Sequence, residues 1–310
     1  NSCPNDESGI FKMQNRIVVI GDIHGDFEAL LIAMYKAQCM DLQGNWIGGS
    51  TYVVQMGDFL DRGGRGNSVD TDEPNEEIYI IQYLNEMDKK ARQKGGRVLC
   101  LLGNHEIMNI LGDLRYTSNV TNQGFGGEEN RKKLFRPGSK LAKQLACQTY
   151  SIINIGEWIF VHAGLLPQHI RNLTNKDEFI SHVNKLVKDI LLGNKSFDNL
   201  DDKDNHIING NESIFWTRIL NDNCGLVEET LKLLKIENGG IVVGHTVQDK
   251  INSKCNDRLW FSDVGMSKAF GDKQKESDRI QILEINNQPN NEPNNKNNIK
   301  KEPACENKEQ

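Results

Sequence analysis

Five short runs of apolar, often β-branched residues each stop at a glycine-containing cluster of Asp, Asn or His, and that recurrence narrows what the chain can fold into. Gly21-Asp22-Ile23-His24-Gly25 follows Ile17 to Ile20, and Gly57-Asp58-Phe59-Leu60-Asp61-Arg62-Gly63 follows Tyr52 to Met56. Gly103-Asn104-His105-Glu106 follows Val98 to Leu102. Trp158 to Val161 leads into His162-Ala163-Gly164, and Ile241 to Val243 into Gly244-His245-Thr246. Such runs read as strands, with Leu259 to Ser262 as a further one. Apolar residues at helical spacing over Phe27 to Ala37, and over Ile78 to Leu84 with Met87, put helices between the first three strands, the pattern of an α/β domain. In parallel α/β sheets the loops at the carboxyl ends of the strands line one edge, and ligands bind there. The five clusters are therefore expected to meet in space.

Each cluster alone has a plain structural alternative. Asp-x-His-Gly can be a turn with a surface His, and Asp61 with Arg62 a solvated charged turn. Asn104 can cap a helix that begins at Glu106, and His162 or His245 can be a hydrogen-bonded core imidazole. Their conjunction, each just after a strand, is what chance does not supply. Together the loops deliver Asp22, Asp58, Asn104, His24, His162 and His245, oxygen and nitrogen donors without a Cys. That set suits Mn, Fe, Zn or Mg and argues against Cu(I) or iron–sulfur. Six protein ligands exceed the three that a catalytic zinc uses, so two divalent ions are expected. Ions about 3.5–4 Å apart, bridged by one carboxylate, can hold a hydroxide and clamp phosphoryl oxygens during in-line attack.

Composition sets the limits around this reading. The 310 residues suffice for one large domain or two small ones. A net charge of -6 draws in neither nucleic acid nor anionic lipid, and Lys132, Lys133, Lys140 and Lys143 read as solvated helix surface. No apolar run is long enough to span a membrane. The seven Cys are odd in number and scattered, with no spacing that suggests a zinc cage or a disulfide framework, so a reducing compartment and a cytoplasmic location are expected. Residues 1–15 lack the apolar core of a signal peptide, although with no initiator Met a removed presequence stays open. Four Asn-x-Ser/Thr sequons, at Asn119, Asn172, Asn194 and Asn211, are close to the roughly 2.6 that the Asn, Ser and Thr content produces by chance. Residues 1–15 read as an N-terminal extension and 16–285 as the folded domain. Residues 286–310, with nine Asn and only Ile299 as a large aliphatic, read as a disordered tail. Asn172 to Glu212 is polar, with one helix (Phe179 to Leu192) beside a long loop.

The ordered set GDIHG, GDFLDRG, GNHE, HAG and GHT resembles the phosphoprotein phosphatase family within the calcineurin-like metallophosphoesterases, over about Arg16 to Phe270. The resemblance implies a four-layer α/β/β/α sandwich with mixed sheets and a dimetal centre on its upper edge. It implies that Asp22 and His24 bind the first metal, Asp58 bridges, and Asn104, His162 and His245 bind the second. His105 is then the general acid oriented by Asp61, and Arg62 grips the phosphate, with Asn104 beside it. A His suits proton transfer near neutrality, and Arg offers phosphate a two-pronged donor. The second phosphate-binding Arg of the family is assigned to Arg218, with Arg65, Arg115 and Arg136 as alternatives. Leu102 stands where eukaryotic serine/threonine members have Arg before GNHE, and Ser262 to Met266 replaces their SAPNY-type loop. The segments Leu114 to Tyr116, Asn122 to Gly127 and Asp263 to Gly271 look more like the bacterial-type branch, the Shewanella-like protein phosphatases. The implied activity is dephosphorylation of a phosphoprotein or phosphopeptide. Hydrolysis of dinucleoside polyphosphates or small phosphoesters is the nearest alternative, and an idle phosphate-binding scaffold a more distant one.

Overall fold

A computed structural model describes residues 3, 8–171, 175–272, 276–287 and 298–301. Its strands are β1 (Ile10–Phe11), β2 (Arg16–Ile20), β3 (Tyr52–Gln55), β4 (Arg97–Leu101), β5 (Thr149–Tyr150), β6 (Ile152–Ile155), β7 (Trp158–Val161), β8 (Gly240–Val243), β9 (Asn252–Lys254), β10 (Leu259–Phe261), β11 (Leu283–Asn286) and β12 (Asn298–Lys301). The helices are α1 (Phe27–Lys36), α2 (Glu76–Arg92), α3 (Asn104–Ile110), α4 (Asn119–Gly124), α5 (Glu128–Phe135), α6 (Lys140–Gln148), α7 (Pro167–Ile170), α8 (Lys176–Leu191), α9 (Asp202–Ile208), α10 (Cys224–Leu233) and α11 (Glu276–Arg279).

The strands form two sheets of six, in the orders β12-β11-β2-β3-β4-β5 and β1-β6-β7-β8-β10-β9. Both are mixed. In the first, β2, β3, β4 and β5 run parallel and β11 antiparallel; in the second, β7, β8 and β10 run parallel, while β6 opposes β7 and β9 opposes β10. With helices packed on them, these sheets are the expected α/β/β/α sandwich. Helix α2 lies on β4, with α1 beside it, and α8 lies on β6.

Local sequence explains the elements that carry the loops. Ile17 to Ile20 of β2 have no exposed surface, as expected for a parallel strand covered on both faces. Burying each such side chain contributes ~1.5–3 kcal/mol. Asp26 caps α1 by accepting the Ala29 N–H at 3.0 Å, and Ala29, Leu30, Ala33 and Met34 turn inward at helical spacing. Helix α2 carries Glu76 and Glu77 in its first turn and Lys89, Lys90 and Arg92 in its last, which complements the helix dipole.

Four expectations change. The N-terminal extension takes part in the domain, because β1 pairs in parallel with β6. The stretch from 286 is not wholly a tail: β12 pairs antiparallel with β11, and the remainder lies outside the described residues apart from Asn287. An open sheet edge offers unpaired N–H and C=O groups, so a largely polar segment can join it. The long loop after α8 contains α9, capped by Asp201. Finally, Cys3–Cys147 and Cys224–Cys255 are disulfides, while Cys39 and Cys100 are buried thiols. The paired Cys lie 144 and 31 residues apart, so spacing carried no signal and only packing brings them together. Disulfides persist in oxidising compartments, which overturns the reason for expecting a reducing one.

Cys224–Cys255 ties the start of α10 to the turn between β9 and β10. A loop of this size is worth about 3.7 kcal/mol through restriction of the unfolded chain. Reductant, or Cys224→Ala with Cys255→Ala, is expected to lower the melting temperature by several degrees in calorimetry; an unchanged melt would mean that the bridge does not form in solution.

Candidate metal centre and acid–base pair

The five clusters meet, but they come from two sheets. Asp22 and His24 follow β2, Asp58 follows β3, and Asn104 opens α3 directly after β4 in the first sheet, whereas His162 and His245 follow β7 and β8 in the second. Backbone hydrogen bonds lock the loops together: the N–H groups of Ile23 and His24 donate to Asp58 O at 3.0 and 2.8 Å, and that of Gly244 to His162 O at 2.8 Å. Gly21 is obligatory at the junction, since a Cβ there would overlap Ser262 O at the end of β10. His24, Asp58, Asp61 and His245 all have positive φ, from 41° to 76°. Such strain in non-glycine residues persists where the surrounding structure over-determines it.

Glu106 does the fixing for Asp58. Fully buried, its carboxylate accepts the N–H groups of Asp58 at 2.7 Å, Gly103 at 2.8 Å and Leu60 at 3.2 Å.

The imidazoles are oriented by carbonyls behind them. His162 Nδ1 donates to Met56 O at 2.7 Å, His24 Nδ1 to Leu60 O at 3.0 Å, and His245 Nε2 to Trp216 O at 3.0 Å. Each neutral ring has one N–H, so the nitrogen that faces inward is a lone pair. His162 Nε2 then lies 3.1 Å from Asp58 Oδ2 and 3.0 Å from Asn104 Oδ1, and His245 Nδ1 lies 3.1 Å from Asn104 Oδ1. Four acceptors converge with no hydrogen among them, an arrangement that fits a cation at their centre. On the other side of Asp58, His24 Nε2 is 3.7 Å from Asp58 Oδ2 and 3.8 Å from Asp22 Oδ2. Ligating atoms of His24, Asp58 and His105 form one compact group, and those of Asp58, His162 and His245 another. Asp58 is common to both.

Electrostatics point the same way. Burial, then neighbouring His162, lowers His245 to about 3; burial and the nearby His105 push His24 well below its usual value. Both shifts favour the neutral ring, the form that binds metal. Burial together with Asp263 and Asp58 raises Asp22 well above the carboxylate range, a strain that bound cations relieve. Asp263 is buried against Asp22 and was not singled out in the sequence.

His105 stands beside the centre. Its Nδ1 is 2.7 Å from Asp61 Oδ2, and its backbone N–H donates to Asp58 Oδ1 at 3.0 Å. Burial lowers the pKa of this ring, but Asp58 and the bond to Asp61 outweigh it and leave a net rise. The His105 ring contacts those of His24 at 4.7 Å and Tyr116 at 5.0 Å.

The arginines are arranged differently from the expectation. Arg62 turns away: Nη1 reaches Glu76 at 3.3 Å and Gly25 O at 3.2 Å, and Nε donates to Val69 O at 2.9 Å. Arg65, three residues on, puts Nη2 at 3.3 Å from His24 Nδ1, with its guanidinium between the rings of Tyr116 and Phe270 at 5.3 and 4.8 Å. Arg218 is exposed at the rim, where Nη2 donates to His245 O at 3.3 Å. Arg115 is an exposed partner of Asp113 at 2.7 Å, and Arg136 ends α5. Nothing local in the motif distinguishes Arg65 from Arg62.

Residues 15–249 match the family model described as calcineurin-like phosphoesterase. Among curated proteins, the chain is 30% identical to Shewanella-like protein phosphatase 2 of Arabidopsis thaliana, over 89% of this chain and 76% of that protein. It is 28% identical to Shewanella-like protein phosphatase 1 of Plasmodium berghei, over 83% and 68% of the two chains. Among solved structures, a cold-active protein-tyrosine phosphatase of a psychrophilic Shewanella superposes with a TM-score of 0.73 at 23% identity, over 96% of this chain and 82% of that one.

Proposed function

Because the chain belongs to the calcineurin-like phosphoesterase family, we propose that it removes phosphate from phosphoprotein side chains as a metal-dependent protein phosphatase. The observation that carries this reading is the convergence of lone pairs and carboxylates around Asp58, with the His105–Asp61 pair at its side. In this reading Asp22, His24 and Asp58 hold one divalent ion, and Asp58, Asn104, His162 and His245 hold the second, with Mn, Fe or Zn all suited to the donors. When bound, such ions neutralise phosphoryl charge and lower the pKa of water near them. The remaining work falls to the chain. His105 protonates the leaving oxygen, held by Asp61 through Nδ1. The walls of Tyr116 and Phe270 orient Arg65, whose guanidinium faces the position that the substrate phosphate takes beside His24. Arg218 extends the same positive rim.

Family resemblance assigns the phosphate grip to Arg62, but its geometry supports a structural role in the loop. Arg65→Ala is therefore expected to lower kcat/KM on an aryl phosphate by about 100-fold, the scale of one lost charge-stabilising donor, and, because Nη1 donates only to the Asp61 and Gly63 carbonyls at 3.2 and 3.0 Å, to lower the melting temperature less than Arg62→Ala does. Arg62→Ala is expected to cost stability first, because it leaves Glu76 buried without its guanidinium. The reverse pattern in steady-state kinetics and melts would return the phosphate to Arg62.

The reading as a whole is tested by stripping metal, adding Mn back and following aryl phosphate hydrolysis, then comparing a phosphopeptide with a dinucleoside polyphosphate. Metal-restored turnover with phosphopeptide preference supports it; nucleotide release alone favours the small-molecule hydrolase. Among the described residues no helix is long and apolar enough to cross a membrane, and the two disulfides favour folding in an oxidising compartment over the cytoplasm.

A further inference from the structure

Behind the acid–base pair lies a buried cluster that the reaction as described above does not use. Arg131, on α5, has no exposed surface, yet all the partners a guanidinium needs are present. Nε donates to Asn109 Oδ1 at 2.8 Å, Nη1 to Glu77 Oε2 at 2.8 Å and to Asn122 Oδ1 at 3.3 Å, and Nη2 to Glu77 Oε1 and Asp61 Oδ1, both at 3.2 Å. The rings of Phe125 and Phe135 flank it at 4.7 and 5.6 Å. Asn109, oriented by Arg131, donates through Nδ2 to Asp61 Oδ1 and to His105 O, both at 2.8 Å. Glu77 closes the ring by accepting the Asp61 N–H at 2.5 Å.

These contacts are selective in a way that a simple brace between helices is not. A guanidinium neutralising Glu77 needs no second carboxylate, yet Arg131 and Asn109 both direct a donor at Asp61 Oδ1 and neither at Oδ2. Oδ2 is left to His105 Nδ1 alone. The carboxylate plane of Asp61 is thereby set from the rear, which sets the tilt of the imidazole and hence the direction of its other nitrogen. Charged hydrogen bonds in a dry interior hold such geometry firmly. The residues come from α2, α3, α4, α5 and the loop after β3, so the cluster also joins five segments at the back of the site.

We propose that Arg131, with Asn109 and Glu77, is a positioning device for proton delivery: it acts through Asp61 to aim His105 at the leaving oxygen. The inference rests on the phosphatase reading and names residues in its proton path that no motif contains.

The test compares two esters. In R131M, at wild-type metal content, turnover of a phosphoserine peptide is expected to fall about 100-fold, the scale of lost general acid catalysis. Turnover of a dinitrophenyl phosphate, whose leaving group departs without a proton, falls by less than about 5-fold, and KM stays nearly constant on both. R131K recovers part of the loss, and R131M adds less than about 2-fold on an H105A background, since the group it acts through is gone. Equal losses on both esters, or a full additional loss on H105A, would reduce Arg131 to a structural brace. If R131M does not fold, N109A removes one of the two donors to Asp61 Oδ1 with a smaller packing change, and the same selective loss is expected at about 10-fold.

A second readout is independent of turnover. In metal-free protein the His105 Nδ1–H proton, assigned by its absence from H105A, is expected far downfield in the nuclear magnetic resonance spectrum and to move or vanish in R131M. An unchanged resonance overturns the proposal even if wild type proves inactive, whereas an inactive wild type with a displaced resonance retires only the phosphatase reading.

Discussion

Asp58→Ala is expected to lose bound metal and turnover together. One Asp58 oxygen lies 3.1 Å from His162 Nε2 and 3.7 Å from His24 Nε2, and the side chain belongs to both ligand groups. No neighbour can replace it, because Asp22 and Asp263 are engaged with one another on one side and Asn104 carries no charge. Removal of an outer-shell partner alone typically costs about 10–100-fold in metal affinity or activity; loss of the shared carboxylate is expected to exceed about 100-fold. Metal per chain by mass spectrometry should fall from near two towards zero, and hydrolysis should reach background. Addition of Mn should raise the melting temperature of wild type by mass action and leave that of the variant unmoved. A variant that retains two ions would falsify the bridging assignment.

His105→Ala is expected to separate chemistry from metal binding. His105 Nδ1 is committed to Asp61, and the three other imidazoles already have their carbonyl-fixed tautomers and inward lone pairs without it. Turnover of a phosphopeptide should fall by about 10²–10⁴, the usual worth of a positioned proton donor, with metal content nearly that of wild type. The loss should shrink as the leaving group becomes a better one. Equal metal loss in both variants would make His105 a ligand, since its ring nitrogen belongs to the compact group with His24 and Asp58.

Most of the scaffold is legible in the sequence. The strand before each cluster lies within a residue of its expected bounds, as β2, β3 and β4 illustrate, because unbroken apolar runs have one stable place in an α/β sandwich. Apolar spacing marks helices α1 and α8, and it marks α2 as well, but α2 extends to Arg92 because its last turns are held by charge: Asp88 accepts from Arg92, Arg97 and the Val98 N–H. Short elements escaped. Two residues are too few for β1 to show a period, and β12 has Ile299 as its one apolar residue, so both exist through pairing with a neighbour.

The site divides along the same line. The sequence by itself determined which donor side chains the fold gathers at one edge, because each cluster is contiguous and follows a strand whose end fixes where it emerges. Tertiary structure alone decided which sheet each loop comes from, and that the two sheet edges close on Asp58. It decided that Arg65 rather than Arg62 faces His24, since Glu76 at the head of α2 draws Arg62 away. It also enclosed Arg131 behind Asp61, 70 residues distant in the chain, and paired the cysteines. Local sequence encodes backbone conformation and side-chain chemistry, whereas the direction of a long charged side chain follows from whichever opposite charge the fold brings within reach.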